Sequence, residues 1–154
     1  MDPLLIVAIV VGALLAAAVL VVLILQIARV ALKAIAKGGE GRIAALGIEA
    51  VRQGPARSLG ITSQGAGQMR GSGTLALTES ELIFLQAVPA TDTRIPLSSI
   101  TLVDTCMSHL GKSVGSKLLR ITWTGSQGED SIALQVADLD AWYAALAAQN
   151  PAQS

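Results

Sequence analysis

The pattern of apolar and polar positions changes character twice along the chain. From Leu4 to Leu25 the run LLIVAIVVGALLAAAVLVVLIL carries no charge, no polar side chain and no proline. As a helix these 22 residues reach about 33 Å, enough to cross a hydrocarbon core of about 30 Å. A helix satisfies its backbone hydrogen bonds within one segment, as lipid demands, so the run predicts a single transmembrane helix. Gln26–Lys37, QIARVALKAIAK, continues in good helix formers, and Gly38-Gly39 predicts the stop. Glu40–Gln53 then predicts a short amphipathic helix, with Ile43, Leu46 and Val51 on its apolar side and Gly54-Pro55 at its end.

From Arg57 the period becomes alternating, and the chain predicts strands. Arg57–Thr62 is a first strand, Gln64–Gly73 a glycine-rich loop, and Thr74–Thr78 a second strand turned at Glu79-Ser80. Glu81–Val88 has apolar residues on both faces, Leu82 and Phe84 on one and Ile83 and Leu85 on the other, so its outer side should be partly covered. Pro89–Asp92 predicts a turn, Arg94–Leu97 and Ile100–Thr105 short strands, and Met107–Ser116 a second loop. Lys117–Thr124 and Ser131–Val136 are the last strands, joined by a turn at Gly125–Asp130. A closing helix follows. Asp138 is placed to cap it, Leu139, Trp142 and Leu146 form one stripe, and Asn150-Pro151 ends it.

About seven short strands and a C-terminal helix carrying a tryptophan form a specific order. Gly73-Thr-Leu-Ala-Leu-Thr78, Glu81-Leu-Ile-Phe84, Arg94-Ile-Pro-Leu97 with Ile100, Lys117-Leu-Leu-Arg-Ile-Thr-Trp123, Ile132-Ala-Leu134 and Trp142 follow one another in that order. From about Arg57 to Ala148 the chain resembles the pleckstrin-homology-like superfold, and within it the GRAM-like and bacterial PH-like domains. The resemblance implies two bent antiparallel sheets in an incomplete barrel, with the terminal helix plugging one end and its Trp in the core. A different small antiparallel barrel is the alternative. The expected class is membrane-anchored α+β: one N-terminal transmembrane helix, then a PH-like seven-stranded partial barrel capped by a C-terminal helix. The expected divisions are 1–37 for the helix and its basic extension, 38–56 for a short helix and linker, 57–149 for the domain and 150–154 for a tail.

Charge sharpens this picture. The formal net charge is zero, yet Arg29, Lys33, Lys37 and Arg42 face Glu40 alone between Gln26 and Arg42, and the remainder is mildly acidic. A mildly acidic domain argues against general nucleic-acid binding. All of the positive charge near the apolar run follows it, which predicts the N-terminus outside and the domain in the cytoplasm. Met1-Asp2-Pro3 supplies no basic n-region and the apolar run outlasts an h-region, so an uncleaved anchor is expected although Ala16-Ala17-Ala18 is small enough for cleavage. Arg29, Lys33 and Lys37, spaced four apart, share one helix face suited to anionic headgroups or simply to setting topology. Gly12 with Ala16 and Ala13 with Ala17 form small-xxx-small pairs that suit helix packing or are plain filler.

Candidate chemistry is sparse. The phosphoinositide-binding pattern of PH domains needs several cations on the first two strands and their loop, whereas here Arg57 and Arg70 stand alone. His109, Lys112 and Lys117 are the other candidate contact, for lipid or a partner, and a solvated loop is the bland alternative. Gly111-Lys112-Ser113 ends like a phosphate loop, but Cys106 stands where that motif needs glycine. Asp104, Ser108 and His109 supply the letters of a triad in one extended segment, without a nucleophile elbow. One Cys and one His make a metal cluster implausible, and a single Cys forms no intrachain disulfide. No cofactor is expected, and no enzyme. The expected function is a single-pass docking or assembly module at the cytoplasmic face, with a bacterial inner membrane as its setting. Its expected partners are membrane lipid through the anchor and a protein or larger membrane complex. The alternatives are an accessory subunit held through its helix and a lipid-sensing module.

Overall fold

The computed structural model describes the backbone of residues 3–149 and the side chains of residues 9–30 and 38–149. The chain divides into two compact units, Met1–Ala34 and Ile35–Ser154. The first helix, α1 (Pro3–Ala45), begins in one and ends in the other. In the first unit Ile9–Val30 is long and apolar enough to cross a membrane, and none of it is buried. The expected helix end at Asn150-Pro151 and the tail 150–154 lie outside the described residues, as do the side chains of Lys33 and Lys37.

The second unit is an antiparallel sheet of seven strands in the order β4-β3-β2-β1-β7-β6-β5. The strands are β1 (Arg52–Ile61), β2 (Gly71–Leu77), β3 (Glu81–Gln86), β4 (Thr91–Pro96), β5 (Ile100–His109), β6 (Lys112–Gly125) and β7 (Gly128–Val136), followed by α2 (Leu139–Gln149). The sheet curls into a half-barrel that α2 closes, an arrangement consistent with the PH-like fold. Its concave side holds the main core, in which Leu75, Leu77, Leu82, Phe84, Ile121 and Leu134 meet Trp142 and Leu146 of α2. Asp138 caps α2 as expected, its Oδ1 accepting from the Ala141 N–H at 3.4 Å. Arg52 lies over the Trp142 ring, 5.1 Å from its centroid.

Four expectations need correction. Gly38-Gly39 does not stop the helix, and the short helix over Glu40–Gln53 does not exist. α1 runs through both glycines to Ala45 because its end is packed on the outer side of β2 and β3. Ile43 is buried there against Ala76, Ile83 and Leu85. Gly39 lies flush on Thr74: a Cβ built on it would stand 1.7 Å from Thr74 Oγ1. Two mid-helix glycines cost about 1 kcal/mol each relative to alanine, and burying an isoleucine is worth about 1.5–3 kcal/mol, so tertiary packing offsets the propensity. The true stop is Gly47 at φ 65°. Ile48 N–H bonds Ile43 C=O at 3.2 Å and Gly47 N–H bonds Ala44 C=O at 3.1 Å, the paired bonds of a Schellman end. The cover anticipated over the outer face of Glu81–Val88 is this strap.

The second correction is at β1, which starts at Arg52 rather than Arg57 and contains Gly54-Pro55. Pairing with β7 begins only at Ala56, so Pro55 has β2 alone beside it and its missing N–H is tolerated. The third is at Met107–Ser116, which is not a loop. β5 runs to His109 and β6 starts at Lys112, around Leu110 (φ 50°) and Gly111 (φ 73°). Two left-handed residues make the tight turn that suits the strand twist. The glycine-rich loop is also shorter than expected, since a turn of 3-10 helix takes Thr62–Gln64 and β2 begins at Gly71. Gly73 has no alternative there, because a Cβ would meet the Leu85 carbonyl oxygen at 2.1 Å.

Candidate functional site

The candidate residues His109, Lys112 and Lys117 all belong to the β5–β6 hairpin, which bends at Gly115 (φ 75°) and at irregularities in both strands. His109 is buried and faces the Gly60 backbone, and its Nε2 has no partner. Burial is the main cause that pushes its pKa below the ordinary histidine value, so the ring is held neutral. Lys112 Nζ donates to the carbonyls of Leu59 and Gln68. Lys117 is exposed. The three therefore have three different roles. His109 is a packed side chain, Lys112 ties the hairpin to β1 and to the loop, and Lys117 alone is open to solvent.

The loop after β1 is tied down in the same way. Gln68 Nε2 donates to Ile61 C=O at 2.6 Å and Gly65 C=O at 2.7 Å, and its Oε1 accepts from Ile61 N–H at 3.0 Å. Arg70 donates to Ser113 C=O at 3.0 Å, so the loop is held by the hairpin that Lys112 also anchors. Most other domain cations have carboxylate partners: Arg42 with Asp92 at 2.9 Å, Arg94 with Glu81 at 2.8 Å, Arg52 with Asp138 at 3.3 Å and Arg120 with Asp104 at 2.5 Å. The hydrogen bond that Arg120 donates to Asp104 leads the causes that raise the Arg120 pKa. Arg57 is exposed on β1.

An open cavity of about 440 Å³ lies beside this loop. Ile61, Phe84 and Ile132 form apolar lining, Met69 stands on the loop side, and Gln64, Gln68 and Gln86 supply amides. Two of these amides are engaged, Gln68 as described and Gln86 through its Nε2, which donates to Pro89 C=O at 3.1 Å and to Val88 C=O at 3.4 Å. The only carboxylate of the lining, Asp92, is the partner of Arg42. The cavity can take a neutral, partly apolar group and offers no clamp for a phosphate. No sequence signal points to it, because its walls come from strands far apart in the chain.

The triad letters are not brought together. Asp104 is bound by Arg120, and His109 faces Gly60. Cys106 is half-buried, and burial is the first cause raising its thiol pKa, which disfavours the reactive thiolate. Among the described residues no three His, Cys, Asp or Glu side chains are grouped to hold a metal ion. Gly12, Ala13, Ala16 and Ala17 are exposed along the apolar helix, as is Arg29.

No family model matches this chain, and neither does any curated protein. Among solved structures the chain is similar to the C-terminal domain of an unknown protein from Leishmania infantum, with a TM-score of 0.49 and 17% identity over 69% of this chain and 87% of that one.

Proposed function

We propose that the chain is a single-pass membrane protein whose PH-like domain, of the GRAM-like or bacterial PH-like kind, serves as a docking surface for protein at the cytoplasmic face. The observation that carries the reading is the engagement of the domain's cations. Lys112, Arg70, Arg42, Arg52, Arg94 and Arg120 each have a partner within the fold, so they are occupied in holding it together. A headgroup clamp needs converging cations free to bind. The apolar helix Ile9–Val30 would supply membrane residence without one. Arg29 at the end of that helical stretch, and Lys33 and Lys37 beyond it, favour a cytoplasmic domain.

The test compares amide hydrogen exchange of the full chain in discs of neutral lipid and of lipid containing anionic headgroups. Docking to protein predicts equal exchange over residues 57–125 in both. Protection of residues 64–73 or 109–117 by anionic lipid would return the weight to lipid sensing. One observation favours a second reading, that of an accessory subunit held through its helix: the small-residue stripe Gly12, Ala13, Ala16 and Ala17 lies exposed on a span with none of its residues buried.

A further inference from the structure

β4 forms one margin of the sheet, with β3 as its only strand neighbour among the described residues. The direction of its backbone groups follows from the ladder. Leu97 N–H bonds Ser80 C=O and Ala87 N–H bonds Ser72 C=O, both at 2.9 Å. Alternation from these bonds turns the N–H and C=O of Thr91, Thr93 and Ile95 toward β3. The N–H and C=O of Asp92 and Arg94 therefore face the open edge. Their side chains share the outer face, because Asp92 pairs with Leu85 and Arg94 with Ile83 in the register, and Ile83 and Leu85 belong to the outer cluster.

We propose that β4 is a self-pairing edge whose occupant is the β4 strand of a second copy of this chain. A two-fold axis through Thr93 sets Asp92 of each copy opposite Arg94 of the other. In that antiparallel register the outward N–H and C=O of both residues are satisfied across the axis. Opposite charges then stand at directly paired positions, where they attract. Each pair also extends an alternating row, Arg42, Asp92, Arg94 of the second copy and its Glu81, built from ion pairs that the single chain already makes. Two like charges at these positions would protect an edge from self-association. An acid and a base two residues apart about a central threonine are instead self-complementary. The inference does not depend on whether the apolar helix spans a membrane.

The test uses the full chain in mild detergent, with Cys106→Ser as background. The axis places Thr93 opposite its own copy at a position without inter-strand hydrogen bonds, with Cα atoms about 4.5 Å apart, within disulfide reach. Thr93→Cys should form a disulfide dimer on mild oxidation, at least several-fold more than Ser126→Cys in the β6–β7 turn. Adding Asp92→Arg places Arg opposite Arg, and adding Arg94→Glu places acid opposite acid, so each should lower the Thr93→Cys yield several-fold. Mixing the two charge variants should restore it, since every pair across the axis is then complementary. Equal cross-linking at positions 93 and 126 would overturn the proposal. So would charge variants that cross-link as well alone as mixed, or a mixture that does not recover.

Discussion

His109 shows how much a single buried side chain can decide. Its folded pKa lies below the ordinary 6.5, so the folded state prefers the neutral ring. The unfolded chain binds the proton more readily, and stability is full above the ordinary value. It is lost as the pH falls from there through the lower folded value. His109→Gln should therefore flatten the fall in melting temperature between about pH 7 and pH 5, measured against the parent in the same detergent. Thr74 makes the opposite kind of case. Its hydroxyl is buried under Gly39 with no hydrogen-bond partner. Thr74→Val keeps the shape and removes the orphaned group, so it should stabilise by about 1 kcal/mol. A higher urea midpoint with an unchanged slope is the expected reading.

Among the elements, the end of α1 covers the outer side of β2 and β3 and α2 closes the half-barrel. The strap over β2 and β3 needs close approach at Gly39. Gly39→Val should cost about 1–3 kcal/mol by overpacking, and amides of Ile43–Ile48 should exchange faster while those of α2 do not change. In α2, Leu146 is fully buried beside Trp142. Leu146→Ala should cost about 2–5 kcal/mol, a large part of a small domain's stability. The β5–β6 hairpin is held from its tip, where Lys112 meets two backbone carbonyls. A lysine used in this way keeps its charge but has fewer N–H donors left to contact a headgroup directly.

At the scale of the whole molecule the chain joins an apolar helix to a domain with few free cations, and the proposed function gives residence to the first and recognition to the second. If Ile9–Val30 holds the protein in the bilayer, the full chain should stay with membranes through an alkaline carbonate wash. Replacing Gly12 and Ala16 by leucine should leave that residence intact. It should lower co-purification of a helix-bound partner several-fold if the small-residue stripe is a seam, and leave it unchanged if the domain does the docking.

What the sequence determined by itself was whatever depends on local pattern. An uninterrupted apolar run, strands with alternating faces, and Asp138 ahead of the Leu139-Trp142-Leu146 stripe were legible because period and capping are properties of neighbouring residues. The double apolar face of Glu81–Gln86 even announced that something covers the outer side of that strand. Tertiary structure decided the rest. It carried α1 through Gly38-Gly39, because Ile43 has a face to bury on and Gly39 a threonine to lie against. It admitted Pro55 to a strand, because the neighbour that would need its N–H is missing there. It drew MSHLGKSVGS into a hairpin through a left-handed Leu110-Gly111 turn and long-range bonds from Lys112 and Arg70. The same long-range contacts determine which of the candidate site residues are open. Lys117 and Lys112 look alike in the sequence, and only the fold engages one and leaves the other in water.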